Sequence, residues 1–384
     1  MLHGILQLGL LPPASSAATS NLAIQDLMTA LTFLHAVLPF FGGSPATPHL
    51  TLAGQSSGAS LVRALLGTPA AAPLFSSAWL HSDPLDYGIL TTSAINTLRT
   101  AWVSELGCAS GSGCAQNMSL STLLAHQSSL LSNAPGLGPE YFPFEPLRPS
   151  ASPGVLISHT FTGPGTFPSC VAALKPLVVT TVKDEAAFTI YGAFPDSDRP
   201  VPSQAVASFL ATTLGPTRTA QVTNSSFYSI SKNSSADARP MLETLGTDLV
   251  WRCSAWKLAR EWAAHGAQKQ YVGVFTQGVS YPGNAQVPEC AQLGAVCHQD
   301  DIEVLFGTAQ STSASALTRE VQARYAAFVR TGNPNAQGYE EWKATSASDV
   351  SPLNLGGKGV YPVGACVPAF WGQEVQFDYQ VLNE

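Results

Sequence analysis

The chain has 384 residues, of which 45% are hydrophobic and 11% are charged, and its formal net charge is −7. A chain of this length can bury a large core, as one large α/β domain or as two. The acidic balance and the absence of any Lys/Arg cluster exclude nucleic acid and anionic membrane surfaces as expected partners. The sequence shows no apolar run of the length that spans a bilayer, so we expect no integral membrane segment.

The first predicted element is a helix that Ser20 would cap at its N-terminus. Apolar side chains recur at helical spacing along one face, at Ile24, Leu27, Met28, Leu31, Leu34 and Leu38. Pro39 and Gly42–Gly43 are expected to end this helix. The preceding stretch Ile5–Leu11 is apolar, but it has no basic residues before it and is not a typical signal peptide.

The most informative segment is Gly54-Gln55-Ser56-Ser57-Gly58, which lies between a run predicted to be a strand and a run predicted to be a helix. G-x-S-x-G in this setting is the nucleophile elbow of serine esterases and lipases, so Ser56 is the candidate nucleophile. We expect that a Cβ at Gly54 or Gly58 would clash within the strained turn. The N–H of Ser57, at the start of the helix, is the candidate donor to an oxyanion.

Two further strands are predicted at Ala78–His81 and Leu177–Val182, and residues 95–260 are expected to form mostly helices packed over the sheet. The second strand runs into Asp184 and Glu185. An acidic residue just beyond a core strand is suited to orient a catalytic histidine. The residues alone leave open which carboxylate has that role, or whether both lie in a solvated turn.

The candidate base is His298, in a loop beyond a predicted helix, Glu243–His265, and a predicted strand, Tyr271–Phe275. We expect the tryptophans of that helix to lie in the core. Ser56, the acidic pair and His298 follow one another in the order found in α/β-hydrolases. Taken alone, His298 could be a surface histidine that titrates near neutral pH. Order and context together favour the catalytic interpretation.

Several blocks of the sequence resemble the type-B carboxylesterases, which include cholinesterase-like enzymes and fungal lipases, and the resemblance is closest to fungal secreted members. These blocks are Asn21–Asp26, Phe41–Gly43, Leu52–Gly58, Lys183–Glu185, Cys297–Asp301, Phe306–Gly307, Arg330–Asn335 and Trp342. The resemblance implies an α/β-hydrolase fold, with a central, mostly parallel sheet flanked by helices, as a single domain over residues 1–384. It also implies that Glu185 rather than Asp184 is the triad acid. Ser82 resembles a position that often hydrogen-bonds into the triad network, although it could be an ordinary serine at a strand end.

The family carries the first strands of the sheet, and a His-Gly-Gly-Gly-type loop with oxyanion donors, ahead of the segment where this chain begins. The sequence contains no such loop, so we expect an N-terminally incomplete esterase that lacks the N-terminal strands. The implied activity is carboxylic ester hydrolysis by Ser56, Glu185 and His298 through an acyl-enzyme, impaired by the absent loop. The alternative is a non-catalytic hydrolase-like interaction protein or an inactive fragment.

The seven cysteines indicate an oxidising compartment. The expected disulfide pairs are Cys108–Cys114, Cys290–Cys297 and Cys253–Cys366, which leaves Cys170 unpaired. Sequons at Asn117, Asn224 and Asn233 suit a glycosylated secretory protein. We therefore expect the complete protein to be secreted or extracellular.

We expect no cofactor and no metal, because Cys290, Cys297 and His298 lack the further ligand pair of a typical zinc site. The expected partner is a small-molecule or lipid ester, and the sequence does not indicate the oligomeric state. Gln55 stands where the family commonly has a glutamate. This exchange removes a negative charge beside the nucleophile and disfavours a cationic choline ester.

Overall fold

The structure of the chain is a computed structural model. It describes residues 21–43, 50–89, 92–108, 117–133, 157, 161, 167–168, 174–195, 201–229, 236–267, 269–308 and 314–377. Among the residues singled out in the sequence, the stretch 5–11 and Ser20, Cys114, Cys170 and Asn233 lie outside this part of the chain.

A parallel sheet lies at the centre of the described part, and its strands follow one another in space in the order of the sequence. The strands are β1 (Thr51–Gln55), β2 (Ser77–His81), β3 (Leu177–Val182), β4 (Gln270–Phe275) and β5 (Leu353–Leu355). The four strands predicted from the sequence are confirmed, whereas β5 was not predicted. Because all the strands run in one direction, their carboxyl ends meet at one edge of the sheet, where α/β folds place their sites.

Helices connect the strands. They are α1 (Leu22–Val37), α2 (Ser57–Leu66), α3 (Thr92–Glu105), α4 (Leu120–Asn133), α5 (Ala187–Ala193), α6 (Ser203–Asn224), α7 (Arg239–Gly246), α8 (Cys253–Ala264), α9 (Ile302–Phe306) and α10 (Ser315–Thr331). The predicted helix Glu243–His265 corresponds to parts of α7 and α8 with a π-helical turn, Thr247–Arg252, between them. Its tryptophans at positions 256 and 262 are buried in the core, as expected.

The core lies on both faces of the sheet, because successive strand residues point to opposite sides. Leu80, Val179 and Val272 join one buried cluster, which includes the tryptophans of α8. Their strand neighbours Trp79 and Val178 join a second cluster against α10. With both faces covered, β2, β3 and β4 are buried along their whole length, which explains their nearly unbroken apolar runs.

The first helical segment is longer and more apolar than the sequence analysis predicted. Within the described residues, Ala23–Phe41 is 19 residues long and passes as a membrane-crossing helix by length and composition alone. The expectation that no apolar run has this length is therefore wrong. The α-helix itself ends at Val37, and a 3₁₀ turn, Leu38–Phe41, follows with Pro39 in its first turn and ends at Gly42, whose φ is 84°. The expected stop at Pro39 and Gly42–Gly43 is confirmed. A core helix of a water-soluble protein and a signal sequence have the same properties, so one such helix is weak evidence for a membrane span.

Candidate active site

Ser56 occupies a strained turn between β1 and α2. Its φ is 56° and its ψ is −125°, a conformation that non-glycine residues rarely adopt. The N–H of Ser56 donates to the carbonyl of His81 at 2.9 Å. A Cβ at Gly54 would lie 2.3 Å from the carbonyl oxygen of Gly58, so the expected clash exists at Gly54. At Gly58 a Cβ would meet nothing within 4 Å, so the prediction of a clash there is wrong. The backbone of Gly58 is what a Cβ at Gly54 would meet.

Ser57 is the first residue of α2, directly after the elbow. The first N–H groups of a helix have no partner within the helix, and they carry the positive end of the helix dipole. The backbone N–H of Ser57 therefore lies directly after Ser56, at the end of the helix that favours negative charge. Its role as an oxyanion donor stays a prediction.

The structure brings Glu185 and His298 together. Nδ1 of His298 donates to Oε2 of Glu185 at 2.6 Å, and the glutamate side chain is fully buried. The other carboxylate oxygen accepts from the backbone N–H of Val182 at 2.8 Å. Because Val182 ends β3, this bond fixes the carboxylate to the edge of the sheet. The charge on Glu185 is thus held on the side of the imidazole where a triad acid acts.

The carboxylate of Asp184 contacts other groups and does not reach the imidazole. Its Oδ2 accepts from the backbone N–H of Val296 at 3.0 Å and lies 3.3 Å from the ammonium of Lys183. The backbone N–H of Asp184 also donates to the carbonyl of Val296. Asp184 therefore anchors the loop before His298, while its neighbour Glu185 contacts the imidazole. Of the two carboxylates left open by the sequence, the one implied by the resemblance is the one at the histidine.

A second acidic residue shapes the histidine loop from inside. The Asp300 carboxylate accepts from the backbone N–H groups of Cys297 and Tyr281 and from the amide of Asn284, at 2.7 to 2.8 Å. The same amide of Asn284 donates to the carbonyl of His298 at 2.9 Å. Burial raises the pKa of Asp300 to about 6, against these hydrogen bonds, which lower it. Asp300 and Asn284 hold the backbone of His298 in place.

The electrostatic surroundings of His298 favour its protonated form. Burial lowers its pKa, but the hydrogen bond with Glu185 and the charges of Glu185, Asp301 and Asp300 outweigh that effect, so the pKa is raised above 6.5. The indole ring of Trp251 lies 5.6 Å from the imidazole, centre to centre. The surroundings of His298 can therefore stabilise an imidazolium.

The other ring nitrogen of His298 is bound by Gln55. The amide nitrogen of Gln55 lies 3.2 Å from Nε2 of His298. An amide nitrogen can only donate, so Nε2 is the acceptor and the proton sits on Nδ1, facing Glu185. This is the tautomer that a general base needs. Within the described residues His298 makes no hydrogen bond to Ser56, because Gln55 occupies the nitrogen that would accept the proton of the serine.

Ser82 does not join the triad network. Its N–H donates to the carbonyl of Thr180 at 2.7 Å, but its hydroxyl is buried and has no hydrogen-bond partner in the described part of the chain. The carboxylate of Glu185 is bonded to Val182 and His298 instead. The expectation that Ser82 supports the triad is therefore wrong for this arrangement.

Disulfides join Cys290 to Cys297 and Cys253 to Cys366. The pairing of Cys108 with Cys114 stays a prediction, since Cys114 lies outside the described residues. Ligand atoms of Asp248, Cys253 and Cys366 lie within 4.8 Å of one another, but the two sulfurs are bonded to each other and offer no thiolate to a metal. The sequon residues Asn117 and Asn224 are both exposed.

Sequence reasoning placed Gln55 beside the nucleophile but missed its contact with His298, and it missed Asn284 and Asp300 as parts of the site. Gln55 lies inside the elbow motif, and its position next to Ser56 was the available signal. Asp300 carried a weaker signal, since it lies two residues after His298. Asn284 had none, because its contact with His298 depends on how the loop between β4 and α9 folds back.

A sequence model described as the carboxylesterase family matches residues 6–361. Carboxylesterase 5A of Felis catus is 24% identical over 355 residues, which cover 86% of this chain and 60% of that protein. A probable N-octanoylanthranilate hydrolase, AqdA2 of Rhodococcus erythropolis, is 34% identical over 94 residues, 24% of this chain and 20% of that protein. Neuroligin-1 of Caenorhabditis elegans is 48% identical over 59 residues, 15% of this chain and 7% of that protein.

Solved esterase structures share the fold. A PNB esterase superposes with a TM-score of 0.66 at 21% identity, covering 88% of this chain and 66% of the esterase. Carboxylesterase EST55 of Geobacillus stearothermophilus gives a TM-score of 0.67 at 20% identity, over 91% of this chain and 68% of that enzyme. The expected α/β-hydrolase fold is confirmed. The chain spans 60% of the length of the feline relative. With a family match over nearly its whole length, the chain belongs to the carboxylesterase family.

Proposed function

We propose that the chain is a carboxylic ester hydrolase in which Ser56, Glu185 and His298 act as a catalytic triad. The observation that carries this proposal is the buried Glu185 carboxylate 2.6 Å from Nδ1 of His298, with the strained Ser56 elbow at the same edge of the sheet. The contact of Gln55 with Nε2 supports it further, since it holds the tautomer that can accept a proton.

In the acylation step, Nε2 of His298 takes the proton of the Ser56 hydroxyl after the Gln55 contact is given up. The serine oxygen attacks the carbonyl carbon of the ester, and the N–H of Ser57 donates to the oxyanion that forms. Glu185 stabilises the imidazolium. The imidazolium then gives its proton to the alkoxide leaving group, and the alcohol departs from an acyl-Ser56 intermediate.

Deacylation repeats these steps with water. His298 removes a proton from a water molecule, and the resulting hydroxide attacks the acyl carbonyl. The tetrahedral intermediate collapses, the proton returns to Ser56, and the carboxylic acid leaves. Loss of one oxyanion donor typically reduces the rate by about 100- to 1,000-fold. The turnover number of this chain therefore depends on the donors that supplement Ser57.

The substrate that we propose is a neutral ester of small-molecule or lipid origin. Gln55, the side chain that contacts the base, is uncharged, so no carboxylate stands beside Ser56 at this position to attract a cationic alcohol group. The hydrolase and esterase names of the relatives agree with an ester or a related acyl substrate.

We also propose that the protein works outside the cell. Two disulfides and the two exposed sequon residues, Asn117 and Asn224, are the supporting observations. Mass spectrometry of the chain produced in a secretory host checks this. Unmodified asparagines together with free thiols at positions 290 and 297 would contradict it.

The function is tested with p-nitrophenyl acetate and p-nitrophenyl butyrate. We expect Ser56→Ala to abolish turnover and a serine-directed phosphonate to label Ser56 in the wild type only. The control is Ser128→Ala, an exposed serine on α4, which should retain wild-type turnover. Turnover that survives in Ser56→Ala refutes the nucleophile. A folded wild-type chain with neither turnover nor labelling favours the alternative, a non-catalytic interaction protein of the same fold.

A further inference from the structure

A second carboxylate–imidazole pair lies behind the elbow, and the triad chemistry does not use it. Nδ1 of His81 lies 2.7 Å from Oδ2 of Asp301, and both side chains are 2% exposed. The hydroxyl of Tyr325 is hydrogen-bonded to Nε2 of the same imidazole. Since Asp301 accepts from Nδ1–H, Nε2 is free to accept from the tyrosine. The three side chains form a continuous hydrogen-bonded chain, which we call the His81 relay.

Aromatic packing fixes the orientation of this relay. The indole of Trp79 stacks on the His81 ring, 5.5 Å between centres and 4° between planes, and on the Tyr325 ring at 3.9 Å and 14°. The indole N–H donates to Oγ1 of Thr180, which lies 3.1 Å from Nδ1 of His81. A buried imidazole in this setting has few alternative partners, so its hydrogen bonds define its position.

The relay connects the two halves of the proposed site. His81 ends β2, pairs with Gln55 in the sheet, and accepts the Ser56 N–H with its carbonyl at 2.9 Å. Asp301 lies three residues after His298 and directly before α9. One residue, His81, therefore holds the nucleophile with its backbone and the segment of the base with its side chain.

The carboxylate of Asp301 depends on His81 for its hydrogen bonding. Its Oδ1 is buried and has no hydrogen-bond partner among the described residues, so His81 is the partner of the carboxylate there. His81 thus fixes the carboxylate of Asp301 in place, three residues after His298 in the chain. The charges of Glu185, Asp301 and Asp300 raise the pKa of His298, against the effect of burial.

We propose that His81 is a positioning residue for ester hydrolysis: the His81 relay sets the placement of Ser56 relative to His298 and fixes the Asp301 carboxylate where its charge acts on the His298 imidazole. This inference rests on the proposed function for its catalytic consequence. Its electrostatic part concerns His298 alone and can be measured without turnover.

The electrostatic part is tested with Asp301→Asn, which keeps the shape and an acceptor for His81 but removes the charge. The control is Glu303→Gln, which removes the same charge from α9, two residues further on. We expect the pKa of the His298 imidazole, followed by NMR, to fall in Asp301→Asn and to stay at the wild-type value in Glu303→Gln. An unchanged pKa in Asp301→Asn, or an equal fall in both variants, overturns the electrostatic part.

The positional part is tested with Tyr325→Phe and His81→Phe. Tyr325→Phe keeps the stacking on Trp79 and removes only the hydroxyl, so its fold should be unaffected. We expect kcat to fall by roughly tenfold or more in His81→Phe, with KM little changed, because misplacement of reacting groups reduces the chemical step. The kcat of Tyr325→Phe should lie between those of His81→Phe and wild type. His81→Gln, whose amide can still donate to Asp301, should have a higher kcat than His81→Phe.

The outcomes separate the two proposals. A wild-type chain without turnover contradicts the proposed function, while the NMR titration still decides the electrostatic part. Wild-type kcat and pH profile in both His81→Phe and Tyr325→Phe overturn the positional role. A His81→Phe protein that does not fold leaves Tyr325→Phe to decide, since that variant retains the aromatic stack.

Discussion

The side-chain amide of Gln55 donates to Nε2 of His298 across 3.2 Å, on the ring nitrogen that must accept the proton of the neighbouring Ser56. In this geometry Nε2 of His298 is the acceptor, and the proton of the neutral imidazole lies on Nδ1, facing Glu185. Substrate binding has to exchange this contact for one with Ser56. The residue at position 55 thus affects whether Nε2 of His298 can accept the proton of Ser56.

Gln55→Glu should move the acid limb of kcat/KM to higher pH. A carboxylate at this position cannot donate to Nε2, and it favours the imidazolium, which does not accept a proton. Activity near neutral pH should fall as a result. The measurement is kcat/KM from pH 5 to 9, with Gln55→Met as the uncharged control of similar length. Superimposable profiles for the Glu variant and wild type would refute the electrostatic role of this position.

The wild-type chain should lose activity as the pH falls through a value above 6.5. The pKa of His298 is raised, because the hydrogen bond and charge of Glu185 outweigh the opposing effect of burial. Only the neutral imidazole is a base, so its raised pKa puts the acid limb above the usual histidine value. A limb centred below 6.5 in the kcat/KM profile would contradict this.

Protonation of His298 should contribute to the free energy of unfolding at low pH and contribute less as the pH rises. A raised folded-state pKa means that the folded chain binds the proton more tightly than the unfolded chain, so this contribution is present at low pH. It is lost as the pH rises through the folded-state value. Urea unfolding of wild type and His298→Gln at pH 5.5 and 8.5 isolates the contribution. An advantage of wild type that grows with pH would have the wrong sign.

Glu185→Gln should reduce kcat far more than Asp184→Asn. Glu185 contacts Nδ1 of His298 at 2.6 Å, whereas Asp184 binds the backbone of Val296. An amide in place of the triad acid favours the wrong tautomer, an effect of about 10⁴-fold in the well-studied serine protease case. Asparagine at 184 keeps an acceptor for Val296, so its effect should be small. The two variants are compared by kcat on one ester, and the opposite ranking moves the acid to Asp184.

Ser56→Gly should stabilise the fold while it abolishes activity. A serine at φ 56° and ψ −125° is strained by about 1–3 kcal/mol, and glycine removes most of that strain. The gain is partly offset by the greater freedom of glycine in the unfolded chain, about 0.5–1 kcal/mol. Urea unfolding should therefore show a net gain of about 1 kcal/mol. Ser57→Gly, at the first helical position of α2, is the control and should show no gain. A lower free energy of unfolding for Ser56→Gly would indicate that the elbow is not strained.

The strands that could be predicted from the sequence are those whose burial leaves a continuous apolar run. The runs that became β2, β3 and β4 are apolar on both faces because helices cover both sides, and such runs are visible in one dimension. β5 has only three residues, Leu353–Leu355, and its register depends on β4, so no local pattern marks it. The π-helical turn Thr247–Arg252 was not predicted either, and the sequence pattern was interpreted as one continuous helix over Glu243–His265.

The individual residues of the site could be predicted from the sequence, but the hydrogen bonds between them could not. Ser56, Glu185 and His298 carry motif signals, whereas the contact between Gln55 and His298 joins residues 243 positions apart. Ser82 shows the limit of resemblance, because its hydroxyl is buried without a partner in the described residues. Which side chain fills a hydrogen-bonding position depends on neighbours such as Val182, whose backbone N–H binds Glu185.

The disulfide between Cys253 and Cys366 closes a loop over a sequence separation of 113 residues, and His298 lies inside that loop. Ser56 and Glu185 lie outside it. A single proteolytic cut within the loop therefore cannot release the base from the rest of the protein, since the sulfur bridge still joins the two pieces. Such a nicked chain would migrate as one species without reductant and as two with it, and it would keep nucleophile, acid and base in one covalent molecule.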